Sequence, residues 1–249
     1  MNDQPTPPDY TSLTFGAPYA DRPYVILNMI SSLDGRAVVE GTERGLGSPD
    51  DQRLMRELRF HADVVLDGAE TLRVSGISSR LDDRALVARR VEAGRSPLPT
   101  AATITASGQL PLEHPFFRAS DFDAVVYASA RIPDERAQAI RDTGRQLIIL
   151  DPLDEVRAML RHMRTELDAG LLLLEGGPRT TGAFLEQDCV DEIFLTLGGL
   201  IVGGDSPKTI VEGTRPSRVE SVLRLALVSA VPNPGTNEVY LRYARRRAT

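Results

Sequence analysis

Apolar residues along this chain come in short runs separated by amphipathic stretches, the pattern of strands buried on both faces that alternate with helices. The plainest run is Leu171-Leu172-Leu173-Leu174, bounded by a charged segment before it and by Gly176-Gly177 after it. Similar runs predict strands over residues 23–30, 64–66, 102–105, 124–128, 146–150 and 192–196, with 37–39 as a short extension after the Asp34-Gly35 turn. Ser48-Pro49-Asp50-Asp51 predicts a helix start, with Ser48 as N-cap, Pro49 in the first position and two acids facing the positive helix end. That helix shows Leu54, Met55 and Leu58 on one face and is expected to end near His61. Further helices are expected around Thr71 and over 134–141 and 154–167.

Two stretches break the rhythm. Residues 75–99 are polar and read as a mobile flap or loop with a short exposed helix over 85–91. Residues 218–228 and 237–243 read as an antiparallel hairpin or edge, with Val231-Pro232-Asn233-Pro234-Gly235 between them. The expected fold is α/β, a doubly wound, mostly parallel sheet with helices on both faces and an antiparallel C-terminal edge. A flexible arm over 1–21 precedes a single domain over 22–249.

Composition narrows the function. In 249 residues, 26% are charged and 41% hydrophobic, as in an ordinary soluble globule. A formal net charge of -6 argues against a nucleic-acid surface, so an anionic ligand needs locally placed arginines. Cys189 is the sole cysteine, which excludes an internal disulfide and a multi-cysteine metal centre. His61, His114 and His162 show no ligand spacing, so no metal site is expected. No run reaches the length of a membrane span, no hydrolase elbow of the Gly-x-Ser-x-Gly type occurs, and the expected location is cytoplasmic.

In doubly wound sheets ligands sit beyond the carboxyl ends of strands. The segments to inspect are therefore 28–32, 67–71, 105–108, 129–130 and 175–180. Glu175-Gly176-Gly177-Pro178-Arg179-Thr180 passes from strand to glycine turn to helix, so the backbone can approach a ligand and unpaired helix amides can hold an anion. On spacing alone this is either a phosphate or dinucleotide site or an ordinary tight turn.

Taken together, Ser31-Ser32-Leu33-Asp34-Gly35-Arg36, Arg59, Gly68-Ala69-Glu70-Thr71 and Glu175-Gly176-Gly177-Pro178 resemble, in the same order, the reductase domain of bacterial riboflavin biosynthesis. That domain has the dihydrofolate-reductase-like fold. The resemblance implies hydride transfer from NADPH to a pyrimidine or pterin, by a free-standing reductase that forms a homodimer through its antiparallel edge. It places Thr71, Ser107, Gly176, Gly177, Pro178, Arg179 and Thr180 at the cofactor, with Ser107 at the adenosine 2′-phosphate. It places Asn28, Ser48, Arg59 and Glu175 at the substrate.

Two departures stand out. The family carries an aspartate shortly after the threonine, where this chain reads Ser75-Gly76-Ile77. Conversely, Asp67 replaces an apolar residue at the end of a strand. Asp67 is either the cap of the following helix or a catalytic carboxyl that anchors the ring or donates a proton. Arg59 either holds substrate or pairs with Asp63 or Glu57 on a solvated helix face, and Asp34 is expected to fix its turn. A chain that binds NADP but has lost catalysis is the alternative to an active reductase.

Overall fold

The computed structural model describes residues 7–74, 79–204, 208–213 and 222–246. Nine strands form one sheet: β1 (Tyr24–Ser32), β2 (Val64–Gly68), β3 (Thr100–Thr105), β4 (Ala124–Ser129), β5 (Gln146–Leu150), β6 (Leu171–Gly176), β7 (Glu192–Gly198), β8 (Leu225–Asn233) and β9 (Glu238–Arg245). Their order is β5-β4-β3-β2-β6-β1-β7-β9-β8. All neighbours from β5 to β7 are parallel, whereas β9 runs antiparallel to β7 and β8 antiparallel to β9. The mostly parallel sheet with an antiparallel edge is thus as expected.

Both faces of the inner strands are buried because helices cover both. Successive side chains of a strand point to opposite faces. Val25 and Leu27 of β1 therefore join a core with Leu172 and Leu174 of β6 and Val156, Met159, Leu160 and Met163 of α6 (Glu155–Thr165). Phe184 of α7 (Pro178–Glu186) packs into the same core. Tyr24 and Ile26 face the other way, against Leu171, Leu173, and Leu54 and Leu58 of α1 (Pro49–His61). On that second face α2 (Ala69–Val74), α4 (Pro115–Arg118) and α5 (Asp134–Asp142) supply Leu72, Phe116, Phe117, Ala137 and Ile140. Each wholly buried leucine contributes roughly 1.5–3 kcal/mol relative to exposure, so the leucine run is the centre of both cores.

Several boundaries differ from expectation for identifiable reasons. Residues 37–39 form no strand; Val39 makes an isolated bridge to Thr42, because Glu40 and Gly41 take left-handed φ of 50° and 84° and fold the chain back. The expected flap contains a docked helix, α3 (Arg84–Glu92), whose Leu86 and Arg90 are buried. The Arg90 guanidinium donates to the carbonyls of Phe60 and Ala62 at 2.7 Å each, satisfying acceptors that the end of α1 leaves open. Strand β8 continues through Pro232 to Asn233, and the turn follows at residues 234–237. With β9 on one side only, β8 is an edge, which is where a strand tolerates proline. Residues 218–221 of the expected strand, and Ser75-Gly76-Ile77, lie outside the described residues. The arm is described from residue 7 onward, and there Tyr10 is buried, its amide donating to Glu57 at 2.8 Å.

Candidate functional site

Strands β1, β2, β3 and β6 end on one side of the sheet, and a cleft opens there as two adjoining cavities of about 370 and 310 Å³. They share Val38, Glu43, Thr71, Gly177 and Pro178 as a common wall.

The larger cavity is made mostly of backbone and small side chains. Gly176 takes φ of 110°, a left-handed conformation that lets β6 turn sharply into α7. Pro178 occupies the first turn of α7, and no side chain caps that helix, so its opening faces the cavity without a protein acceptor. The Gly177 amide donates to the Thr71 hydroxyl at 3.3 Å, tying α2 to the turn. Gly68 leaves room for Thr180, whose Oγ1 lies 2.7 Å from where a Cβ on Gly68 would stand. Thr71, Ser107, Gly177, Pro178, Arg179 and Thr180 all line this cavity, and Gly176 lies beneath, against the Met29 sulfur. Arg179 is 84% exposed, 3.7 Å from Glu212. Arg73 and Lys208 complete the cationic lining, Lys208 being paired with Glu70 at 2.5 Å.

The smaller cavity differs in that charged side chains buried in the fold, Arg59, Asp67 and Glu175, stand among its lining residues. Glu175 ends β6 and Arg59 lies in the last turn of α1, and they meet in a bidentate pair with both N–H···O distances at 2.6 Å. Their side chains are only 10% and 6% exposed, and Arg59 donates further to the Arg80 carbonyl at 3.0 Å. Burial works against the Arg59 charge, but the Glu175 carboxylate outweighs it and the guanidinium is held firmly protonated. Asp67 lies on β2 beside this pair, buried, and lines the cavity with Asn28, Arg59 and Glu175. Burial, reinforced by the Glu175 charge, pushes the Asp67 carboxyl well above the usual range against the pull of Arg59. Among the described residues nothing donates a hydrogen bond to it, so it does not serve as the cap of α2.

Ser48 lines neither cavity. Its hydroxyl accepts from the amides of Asp50 and Asp51 at 3.2 and 3.3 Å, the expected cap, and donates to Glu238 at 2.6 Å. Arg59 does not pair with Asp63 or Glu57 on a solvated face; Asp63 is bound by Arg95 and Glu57 by Arg53. Asp34 holds its turn, accepting from the Ser32 hydroxyl at 2.6 Å, and also ties down the Val202 and Gly203 amides. Cys189 is buried with its thiol pushed up by desolvation, which disfavours the nucleophilic thiolate.

The sequence reading missed the orientation of Asp51. It was expected only to face the positive end of α1, but its side chain lines the smaller cavity. One of its oxygens stands against Gly47. Burial pushes the carboxyl up to about 6, with the Thr196 hydroxyl opposing the rise and Glu238 adding to it. The Asp51 position within the first turn of α1 was the available signal, since residue 48 to residue 52 spans one turn and one of its positions must face the sheet. Arg44, on the Gly41 to Gly47 loop, also lines this cavity, and among the described residues it has no ion-pair partner. No group of three or more His, Cys, Asp or Glu able to hold a metal occurs among the described residues, and no helix there is long and apolar enough to cross a membrane.

Comparison with known proteins places this geometry. A family model described as the RibD C-terminal domain matches residues 23–233. The 2,5-diamino-6-ribosylamino-4(3H)-pyrimidinone 5′-phosphate reductase of Methanothermobacter thermautotrophicus is 27% identical over 83% of this chain and 91% of its own. A protein of the same name from Aquifex aeolicus is 28% identical over 84% of this chain and 91% of its own. Riboflavin biosynthesis protein RibD of Mycobacterium tuberculosis is 28% identical over 81% of this chain but 49% of its own, so the chain spans about half of it. Among solved structures, a pyrimidine reductase-like protein from Corynebacterium diphtheriae superposes with a TM-score of 0.77 at 22% identity, covering 92% of this chain and 94% of that one.

Proposed function

The chain belongs to the RibD C-terminal domain family, and from that premise we propose that it is an NADPH-dependent reductase of a ribosylamino-pyrimidine 5′-phosphate. The observation that carries the reading is Asp67, a buried carboxyl to which no described residue donates, set in a cavity that shares a wall with a phosphate-suited one. A nicotinamide dinucleotide fits the larger cavity, where the uncapped start of α7 and Arg179 offer donors to a pyrophosphate and Thr71, Gly177 and Pro178 border the substrate side. Ser107 and Arg73, at the far end of that lining, suit a 2′-phosphate. When bound, the cofactor supplies a hydride.

The chain's own residues supply the proton. The ribosylamino group opens to an imine; the hydride goes to its sugar carbon, and the Asp67 carboxylic acid gives its proton to the nitrogen. Burial and the Glu175 charge favour the protonated form of Asp67, and the anion left afterwards is stabilised by the adjacent Arg59 charge. Arg59 is bound on two sides by Glu175 and the Arg80 carbonyl, so its role is to hold Glu175 against the substrate rather than to clamp a phosphate. Arg44 is the cation left to meet the phosphate. Copies pair through β8, whose Leu227 and Val228 are 56% and 52% exposed, as a homodimer of the cytoplasm.

The test is NADPH oxidation with the diamino-pyrimidinone phosphate and, separately, with dihydrofolate. Turnover of the first is expected, and Asp67→Asn should lower kcat by about 100-fold with NADPH affinity unchanged. Binding of NADPH with no turnover of either acceptor would reduce the chain to a nucleotide-binding module.

A further inference from the structure

Beside Asp67, on the next strand, stands a second buried polar group. Thr103 of β3 is wholly buried and lines neither cavity, and among the described residues its hydroxyl has no hydrogen-bond partner. A buried hydroxyl left unpaired is costly, and most such groups in folded proteins are satisfied. The ladder shows what lies next to it. Thr103 pairs in parallel register with Asp67 of β2 on one side and with the apolar Val126 of β4 on the other. Paired residues of neighbouring strands project to the same face, with the strands about 4.8 Å apart, so the Thr103 and Asp67 side chains stand side by side. The other ladder partner of Asp67 is Gly176, because the register against β6 slips after Leu66. Gly176 brings no side chain, which leaves Thr103 as the one ladder neighbour able to offer Asp67 a side-chain donor.

We propose that Thr103 is a positioning residue for the proton donor: its hydroxyl turns to the Asp67 carboxylate once the proton has left, and holds that anion. The inference rests on the reductase reading above and adds a residue to its chemistry. While Asp67 carries its proton it is neutral, and the Thr103 hydroxyl has no charge to bind. Transfer of that proton to the substrate nitrogen leaves a carboxylate that feels two other acids, Glu175 on β6 and Glu43 on the loop after β1. Arg59 of α1 is the opposing charge, but its hydrogen bonds go to Glu175 and the Arg80 carbonyl. Asp67 thus has the attraction of Arg59 without a donor from it. Rotation about the Thr103 Cα–Cβ bond aims its O–H across one strand spacing at the new anion, and a hydrogen bond to an ionised acceptor is among the stronger ones. Thr103 keeps its own proton throughout.

The experiment compares wild type, Thr103→Val and Thr103→Ser. Valine exchanges the hydroxyl for a methyl group of similar size, and Thr103→Ala takes its place if the valine variant does not fold. The first readout is kcat against pH with NADPH and the diamino-pyrimidinone phosphate. Asp67 acts as an acid, so activity falls as pH rises through its titration, and losing a bond that favours the anion moves that fall to higher pH. Thr103→Val should lower kcat about tenfold and move the fall up by at least about one pH unit, and Thr103→Ser should restore both. The second readout is the infrared band of the protonated Asp67 carboxyl, identified by its loss in Asp67→Asn and followed against pH in the protein alone. Its disappearance should move up equally in Thr103→Val and stay in place in Thr103→Ser. This readout needs no turnover, so if neither acceptor is reduced the reductase reading fails while the band still decides the role of Thr103. Urea unfolding identifies a merely structural threonine: at a pH where Asp67 is protonated, Thr103→Val should be no less stable than wild type, because the hydroxyl it removes is unpaired there. A lower kcat with an unmoved pH profile, an unmoved carboxyl band, or a serine variant that behaves like the valine one would overturn the proposal.

Discussion

The two cavities meet at Thr71 and Gly177 but are built by opposite means. The larger joins glycines and a helix start to charged side chains that stay near solvent, Arg179 beside Glu212 and Lys208 beside Glu70. The smaller is walled by Glu43, Asp51, Asp67 and Glu175 against Arg44 and Arg59, with one cation already spent on Glu175. The first costs little to fold, because its ion-paired side chains remain partly or largely in water. The second is expensive, because several ionisable groups are taken out of water together. The difference predicts that the acidic lobe limits stability and chemistry whereas the glycine lobe limits cofactor affinity.

The largest effect is expected from breaking the ion pair of the acidic lobe. Arg59→Ala leaves Glu175 buried without its partner next to Asp67, and removing one member of such a pair costs roughly 3–5 kcal/mol. Urea unfolding should show this loss, and a double change, Arg59→Met with Glu175→Leu, should recover most of it. A loss below about 1 kcal/mol in Arg59→Ala would mean that the pair is effectively solvated, and the contrast between the lobes would collapse.

On the cofactor side the weak point is a close approach of backbones. A Cβ on Gly182 of α7 would run into the Glu212 carbonyl, whereas one on Gly213 would meet only the end of the Glu186 side chain. Gly182→Ala should therefore displace residues 208–213, which carry Lys208 and Glu212 into the larger cavity, at a cost of about 1–3 kcal/mol. NADPH affinity, measured by titration, should weaken about tenfold. Gly213→Ala should show little of either effect. Equal behaviour of the two variants would remove the role of that contact.

The two lobes also differ in how far the sequence revealed them. The glycine lobe is local: strand, Gly-Gly-Pro and helix start stand next to one another, and the spacing alone implies an exposed helix amide set. The sheet was legible for the same reason, since each run of apolar residues announces its own strand. The acidic lobe is long-range. Arg59 and Glu175 are 116 residues apart, and only the adjacency of β2 and β6 and the packing of α1 over them bring the two together. From local spacing Arg59 had equally good partners in Asp63 and Glu57. Asp51 looks like an ordinary first-turn acid because nothing nearby in sequence tells that this turn of α1 borders the smaller cavity. The docking of α3 was hidden similarly, since Arg90 spends its charge on backbone carbonyls rather than on a carboxylate visible in the pattern.

The smallest effect expected is a pH dependence of stability that originates in the acidic lobe alone. Asp51 is pushed up to about 6 in the folded chain from its ordinary value of 3.8. Between those values the folded state holds more protons than the unfolded state, so the Asp51 contribution to stability falls as pH rises from about 4 to about 6 and is level above. Other carboxyls run the opposite way. Asp191, though burial opposes it, is held low by Arg22, Tyr19 and the Val25 amide, and its contribution is lost as pH falls below the ordinary carboxylate range. The two windows are separate, and the difference between wild type and Asp51→Asn isolates the first. Denaturation midpoints from pH 4 to 7 should show wild type losing about 1–2 kcal/mol relative to the variant across that interval, after allowance for the partial exposure of the group. Midpoints that stay parallel would mean that water already reaches Asp51 freely.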